Sequence, residues 1–251
     1  FLLEICARFL PASKPLSIEL PLECEDLNDP DINCIFRFKP NTKTRYTKGR
    51  FLPLIFNAYK KTNDIGHFSD IDFEKIKLND KSNLRILSIG DSFVEAVQVK
   101  NSDSFHGILN NYKSKSGQNI HSTILAASGN ALPQYLTHIS FAKKNMEIRD
   151  SIILISIIGN DFDESYLKYK SSVGTYFSSE TLNNFDFVTY KKTNTVKFRR
   201  FILNNSAIAR YIYFNLEPSN NIIHKYPICK VFGVICNRDI HYLRSQKNLT
   251  K

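Results

Sequence analysis

Three short polar clusters, Gly90-Asp91-Ser92, Ser128-Gly129-Asn130 and Gly159-Asn160-Asp161, hold the residues of this chain whose types and spacing could do chemistry. Each follows an apolar run of strand length: residues 85–89, 122–127 and 151–158. A serine hydroxyl at a strand-to-helix turn becomes a nucleophile when a base activates it, and a helix start there favours developing negative charge. Gly129 could offer its backbone N–H with no side chain in the way, and Asn160 a side-chain N–H. With the N–H of Ser92 these would make an oxyanion hole, in which one donor is typically worth ~10²–10³ in rate. The chemistry suggested is acyl transfer through Ser92. Each cluster alone is a common turn, and Asn-Asp after a strand is an ordinary helix cap. Their order, each directly after a buried-type strand, carries the inference.

Such clusters need a sheet to bring them together. Strands that are apolar throughout and separated by helices imply a parallel sheet covered on both faces, and ligands of such sheets bind beyond the carboxyl ends of the strands. The clearest helix spans residues 131–144, with Pro133 suited to its first turn. Its apolar set Leu132, Tyr135, Leu136, Ile139 and Ala142 gives one buried stripe, with Phe141 off it. Gly90 is expected to permit a tight turn. Residues 1–82 are polar, with Pro11, Pro15, Pro21, Pro30, Pro40 and Pro53 scattered through them, and read as an extended, loop-rich N-terminal segment. Residues 83–251 read as the α/β domain, of which 165–251 resist assignment. Within them, residues 196–214 are helical in pattern, with Phe198, Phe201, Ile202, Ile208, Ala209 and Ile212 near one face and Lys197, Arg199, Arg200 and Arg210 elsewhere. A helix packed on the domain and a basic amphipathic helix on an anionic membrane both fit that pattern.

The chain has 251 residues and a net charge of +10. Hydrophobic residues at 42% and charged residues at 23% exclude collagen-like, disordered and coiled-coil classes. Residues 1–164 hold 20 basic and 20 acidic side chains, and 165–251 hold 14 and 4, so the whole excess lies in the last third. No helix-turn-helix, zinc-finger or RNP pattern accompanies it, and nucleic acid is not an expected partner. The longest apolar runs are far short of the ~20 residues of a membrane-spanning helix.

The sequence Ile86-Leu87-Ser88-Ile89-Gly90-Asp91-Ser92-Phe93 resembles the nucleophile block of the SGNH/GDSL hydrolase family, with Ser92 as nucleophile. Ser128-Gly129 is similar to the second block of that family and Gly159-Asn160-Asp161 to the third, which implies oxyanion-donor roles for Gly129 and Asn160. Asn63-Asp64-Ile65-Gly66 looks like the Asn-x-x-Gly stretch that precedes the nucleophile in envelope-located members. The resemblance covers about residues 55–165. It implies a three-layer α/β fold with flavodoxin-like strand order, incomplete at its C-terminal end, and a serine esterase or O-acyltransferase of the cell envelope, periplasmic or extracytoplasmic. The implied substrate is an acylated glycan or lipid, with no cofactor and no metal. Two positions depart from the pattern: Ile124 stands where the second block usually has Asn, and Ile158 where the third usually has Gly.

A larger departure concerns the general base. The family's last block, Asp-x-x-His, does not follow Asp161. Asp239-Ile240-His241 is one residue too tight, Asn221-Ile222-Ile223-His224 lacks the carboxylate, and Asp64-Ile65-Gly66-His67 precedes the nucleophile. In similar envelope-located members the His block lies farther along than this chain runs, so the base is expected outside these residues, with His241 the remaining candidate within them. A chain lacking its base would be a catalytically incomplete module that binds glycan or a protein partner.

Five cysteines fall as Cys6, Cys24 with Cys34, and Cys229 with Cys236. None is in CxxC spacing, and no His lies at zinc-ligand spacing from them, so metal binding is not expected. Two close pairs would suit an oxidising compartment, and five reduced thiols are the alternative. Residues 1–10, FLLEICARFL, read either as the end of an apolar anchor or signal helix, implying membrane association through the N-terminus, or as an amphipathic helix with Glu4 and Arg8 paired at i,i+4.

Overall fold

The computed structural model describes residues 2–14, 16, 18, 35–48, 55–77, 82–145, 151–169, 174–178, 187–190 and 194–216. The elements are α1 (Leu2–Phe9), β1 (Lys43–Lys48), β2 (Phe56–Lys61), α2 (Phe73–Lys77), β3 (Asn83–Gly90), α3 (Ser92–Glu95), α4 (Phe105–Leu109) and β4 (Asn119–Ala126). They continue as α5 (Leu132–Asn145), β5 (Ser151–Ile155), α6 (Gly159–Glu164), β6 (Gly174–Phe177), β7 (Phe187–Tyr190), α7 (Asn194–Asn205) and α8 (Ala207–Tyr211).

The centre is a parallel sheet in the order β4-β3-β5. Gly90 pairs with Ala126, and Ile89 with both Leu125 and Ile155, so the carboxyl ends of the three strands lie side by side. Alternation along the strands sends successive side chains to opposite faces, and each face builds its own core. On one, Leu87, Ile89 and Leu125 pack with Phe73 and Ile76 of α2 and with Tyr135 and Ala142 of α5. On the other, Ile124 and Ala126 pack with Val94 of α3, Phe38 and Phe68. The result is a mixed α/β fold with a three-stranded parallel sheet flanked by helices, but the covering expected on both faces fails at the edge strand β5, where Ile152, Leu154 and Ile155 are exposed. Arg85 is buried within β3 and its Nη1 donates to the Ile76 carbonyl at 3.1 Å, near the C-terminal end of α2.

The segment before Ser82, read as extended from its sequence, carries an antiparallel β1-β2 hairpin with Lys43 opposite Lys61. Ile35, Phe73 and Ile76 of this segment belong to the core around the sheet. The turn at Asn63-Asp64-Ile65-Gly66 joins hairpin to sheet: Asn63 Oδ1 accepts from the His67 amide at 2.9 Å, and Asn63 Nδ2 donates to Thr123 Oγ1 of β4 at 3.3 Å. Gly66 sits at φ +85°, and a Cβ there would lie 2.1 Å from the Phe38 carbonyl oxygen, so only glycine fits.

Helix α5 forms where periodicity places it, with its stripe rotated. Tyr135 and Ala142 are buried as expected, whereas Leu136 is exposed and Gln134 and His138 are buried in its place. Phe141, assigned off the stripe, packs against Phe73 with ring centroids 5.5 Å apart. The continuous helix expected over residues 196–214 is broken at Ser206, whose hydroxyl accepts from the Ala209 amide at 3.1 Å and starts α8. Its supposed packing face is also corrected: Phe198, Phe201 and Ile212 are exposed, and Ala207 and Tyr211 are buried. Glu4 and Arg8 of α1 approach to 3.9 Å, as i,i+4 spacing predicts. Among the described residues no helix is long and apolar enough to cross a membrane.

Candidate functional site

Ser92 opens α3 directly beyond β3, half-buried, with its Oγ 3.4 Å from Asp91 Oδ2. Asp91 is buried and caps the turn, its Oδ1 accepting from the Phe93 amide at 3.0 Å. Helix α3 spans only four residues and ends at Ala96 in the left-handed conformation, φ 49°. A helix this short sums few peptide dipoles, so the N-terminal field expected at Ser92 is small. Gly90 is needed for a different reason than the tight turn its sequence suggests. A Cβ on it would lie 2.3 Å from Val94 Cγ2 and 3.4 Å from Ser156 Cβ, so glycine lets α3 and the end of β5 close around the strand end.

Gly129, beyond β4, takes φ +86°, a conformation that suits glycine. Its loop is tied to the Ser92 turn twice. Glu95 of α3, fully buried, accepts from the Ser128 amide at 2.6 Å and from the Ser128 hydroxyl. Asn130 Nδ2 donates to the Gly90 carbonyl at 3.3 Å. Burial lifts the Glu95 carboxyl to about 7, opposed by the two Ser128 hydrogen bonds and the nearby Lys60 ammonium. Lys60 of β2 is itself buried, and its Nζ donates to the Glu95 and Ala96 carbonyls at 2.9 Å each. It also lies 5.2 Å from the Phe68 ring centroid, and burial brings its pKa down to about 8.

Asn160 lies in the first turn of α6, exposed, and its amide makes no hydrogen bond to the described residues. Its neighbour Asp161 is buried and holds the helix in place. Asp161 Oδ2 accepts from the Ile158 amide at 2.7 Å and from the Tyr135 hydroxyl at 3.0 Å. Burial raises the Asp161 carboxyl above its ordinary range. The Asn-Asp pair thus does the helix-capping work expected of it, through Asp161.

Ser92, Gly129 and Asn160 stand at the carboxyl ends of adjacent strands, Ser92 and Gly129 in directly bonded turns and Asn160 one helix turn beyond β5. No imidazole among the described residues lies within hydrogen-bond reach of Ser92 Oγ. Asp64 caps α2 by accepting from the Phe73 and Glu74 amides at 2.6 and 3.0 Å. His67 is buried with Nδ1 3.1 Å from the Ala126 carbonyl oxygen, its ring edge-to-face with His138 at 5.6 Å. The Asp64-x-x-His67 spacing therefore serves the scaffold. His106 bonds the Phe68 carbonyl at 3.1 Å and is equally structural. His224, Asp239 and His241 lie outside the described residues, as do Cys24, Cys34, Cys229 and Cys236. Cys6 is a free, exposed thiol. Among the described residues no cluster could hold a metal ion.

Glu95, Lys60 and the Tyr135–Asp161 pair were not picked out by sequence. A glutamate three positions after a serine, or one lysine of a Lys-Lys pair in a polar strand, gives no sign in its type that it will be buried. Compared with protein-family models, curated proteins and solved structures, the chain matches none.

Proposed function

We propose that this chain is a cell-envelope serine esterase or O-acyltransferase of SGNH/GDSL type, acting on acyl esters of glycans or lipids. The observation that carries the proposal is the side-by-side placement of Ser92, Gly129 and Asn160 at the ends of three parallel strands in the order second-first-third. In the proposed reaction a base takes the Ser92 proton and the oxygen attacks an ester carbonyl. The resulting oxyanion is met by the amides of Ser92 and Gly129 and by Asn160 Nδ2. Collapse of the oxyanion breaks the ester C–O bond, the departing alcohol takes the proton from the base, and the acyl group stays on Ser92 until water takes it in an esterase or a sugar hydroxyl in an acyltransferase. The base comes from beyond the described residues. The Asn-x-x-Gly turn and the two close cysteine pairs support a location outside the cytoplasm.

A fluorophosphonate probe tests this. Covalent labelling of the folded protein at Ser92, lost in Ser92→Ala, is the expected result; a folded protein that takes no label contradicts it. One observation favours a second reading, a catalytically incomplete module that binds glycan or a protein partner: within the described residues Ser92 Oγ meets only Asp91, at 3.4 Å. That module would bind glycan equally well as Ser92→Ala and would hydrolyse no ester.

A further inference from the structure

Helix α1 is built inside out. At 100° per residue its exposed apolar side chains, Ile5, Phe9, Leu2 and Leu3, together with Cys6, fall on one continuous arc of about 160°. That arc faces away from the protein. Leu2 is 76% exposed, Leu3 77% and Phe9 85%, while the small Ala7 is buried. Glu4 turns inward while Arg8 stays exposed: Glu4 accepts from the Ala207 amide at 2.6 Å and from the Ser206 hydroxyl at 3.0 Å, closing the N-terminus of α8. These amide bonds, led by Ala207, hold the Glu4 carboxyl below its ordinary range. A short amphipathic helix normally buries its apolar stripe. Here the acidic side chain is used for docking and the apolar one is left outside.

The neighbouring helices repeat the pattern. Arg210 of α8 donates from Nη1 to the Leu203 carbonyl of α7 at 2.9 Å, so α1, α7 and α8 meet around the Ser206 junction. Phe198 and Phe201 of α7, one turn apart, are each 65% exposed, and Ile212 beyond α8 is exposed as well. Residues 194–216 carry Lys197, Arg199, Arg200 and Arg210 and no acidic residue. Exposed aromatic and aliphatic side chains on helices whose sequence is rich in basic residues and free of acidic ones match an anionic lipid surface, where apolar insertion and charge attraction act together. We propose that α1, α7 and α8 form a docking surface for an anionic bilayer, with the side chains of Leu2, Leu3, Phe9, Phe198 and Phe201 entering the acyl boundary. In this arrangement the described residues of α1 and α7 lie along the membrane surface. For an enzyme acting on envelope acyl esters this would hold the strand-end site near its substrates, although the docking surface does not depend on that chemistry.

Sedimentation of the full chain with vesicles of phosphatidylcholine alone, or of phosphatidylcholine mixed equally with phosphatidylglycerol, tests the proposal. Binding to the mixed vesicles, weakening as salt rises, is expected. The double variant Leu3→Glu with Phe9→Glu should lower the bound fraction at least about tenfold. Arg199→Glu with Arg200→Glu, on a different helix, should lower binding to the mixed vesicles and leave phosphatidylcholine unaffected. Failure to bind the mixed vesicles, or both variants binding like wild type, overturns the proposal. So does a vesicle-free dimer that Leu3→Glu with Phe9→Glu dissolves, since a second copy would then own the face. Fluorophosphonate labelling of Ser92, measured on the same variants, is expected unchanged and separates failure of docking from failure of the acyl-transfer reading.

Discussion

Gly90 shows how one residue sets the site. Its missing side chain leaves room for both Val94 and Ser156, so the Ser92 turn and the chain just beyond β5 close on the same strand end. Gly90→Ala forces a Cβ to 2.3 Å from Val94 Cγ2, and overpacking of this kind costs about 1–3 kcal/mol. The expected result is a lowered urea midpoint, partly restored when Val94→Ala is added. Equal loss with and without the second change would contradict this account of Gly90. Glycine as a signal was legible here and its purpose was not, because a contact with Val94 and Ser156 exists only once the strands are aligned.

Between elements, Glu95 is the brace that fixes the Ser92 turn to the Gly129 loop, with Lys60 of β2 donating to the last carbonyls of α3 behind it. Glu95→Ala leaves the Ser128 amide without an acceptor, at a cost of about 1–3 kcal/mol, and should lower ester turnover by freeing Gly129. Glu95→Gln keeps an acceptor for that amide and should retain most of the turnover; if both variants lose turnover equally, Glu95 does more than position the loop. The sheet and its flanking helix α5 were legible because continuous Ile/Leu/Ala runs and a 3.6-residue stripe leave few alternatives. The hairpin β1-β2 was not, since KTRYTK has no apolar alternation. Its buried Thr47 is held by polar contact instead, its amide donating to Ser13 Oγ at 2.7 Å. The rotation of α5 arises likewise, from Gln134 being drawn inward to accept the Ala131 amide at 3.0 Å, which hydropathy counts against.

At the scale of the molecule, acid should unfold this protein early. Burial holds His67 and His106 at about 4 and His138 at about 3, so all three stay neutral in the fold while the unfolded chain protonates them below about 6.5. The unfolded state then binds more protons, and stability falls as pH drops from 6.5 towards 4. Glu95 acts in the opposite sense: its raised pKa, about 7, makes its ionisation cost the fold between 4.5 and 7, and Asp161, also raised by burial, acts in the same sense. Three histidines against these two carboxyls leave a net loss on acidification. Urea midpoints that decline from pH 6.5 to 4.5 are expected, and a flat or rising series would contradict the buried neutral histidines. The three-strand framework of this molecule and the three residues at its strand ends could be read from sequence, whereas the outward face of α1 could not, because nothing in FLLEICARF tells that Glu4 is consumed by the cap of α8. A crystal structure of the fluorophosphonate adduct would show whether Ser92, Gly129 and Asn160 converge on one reacting centre, as proposed. Phosphorus is expected on Ser92 Oγ, with its unesterified oxygen about 2.7–3.1 Å from the Gly129 amide and from Asn160 Nδ2. An adduct whose oxygen points to solvent, away from both donors, would contradict that convergence.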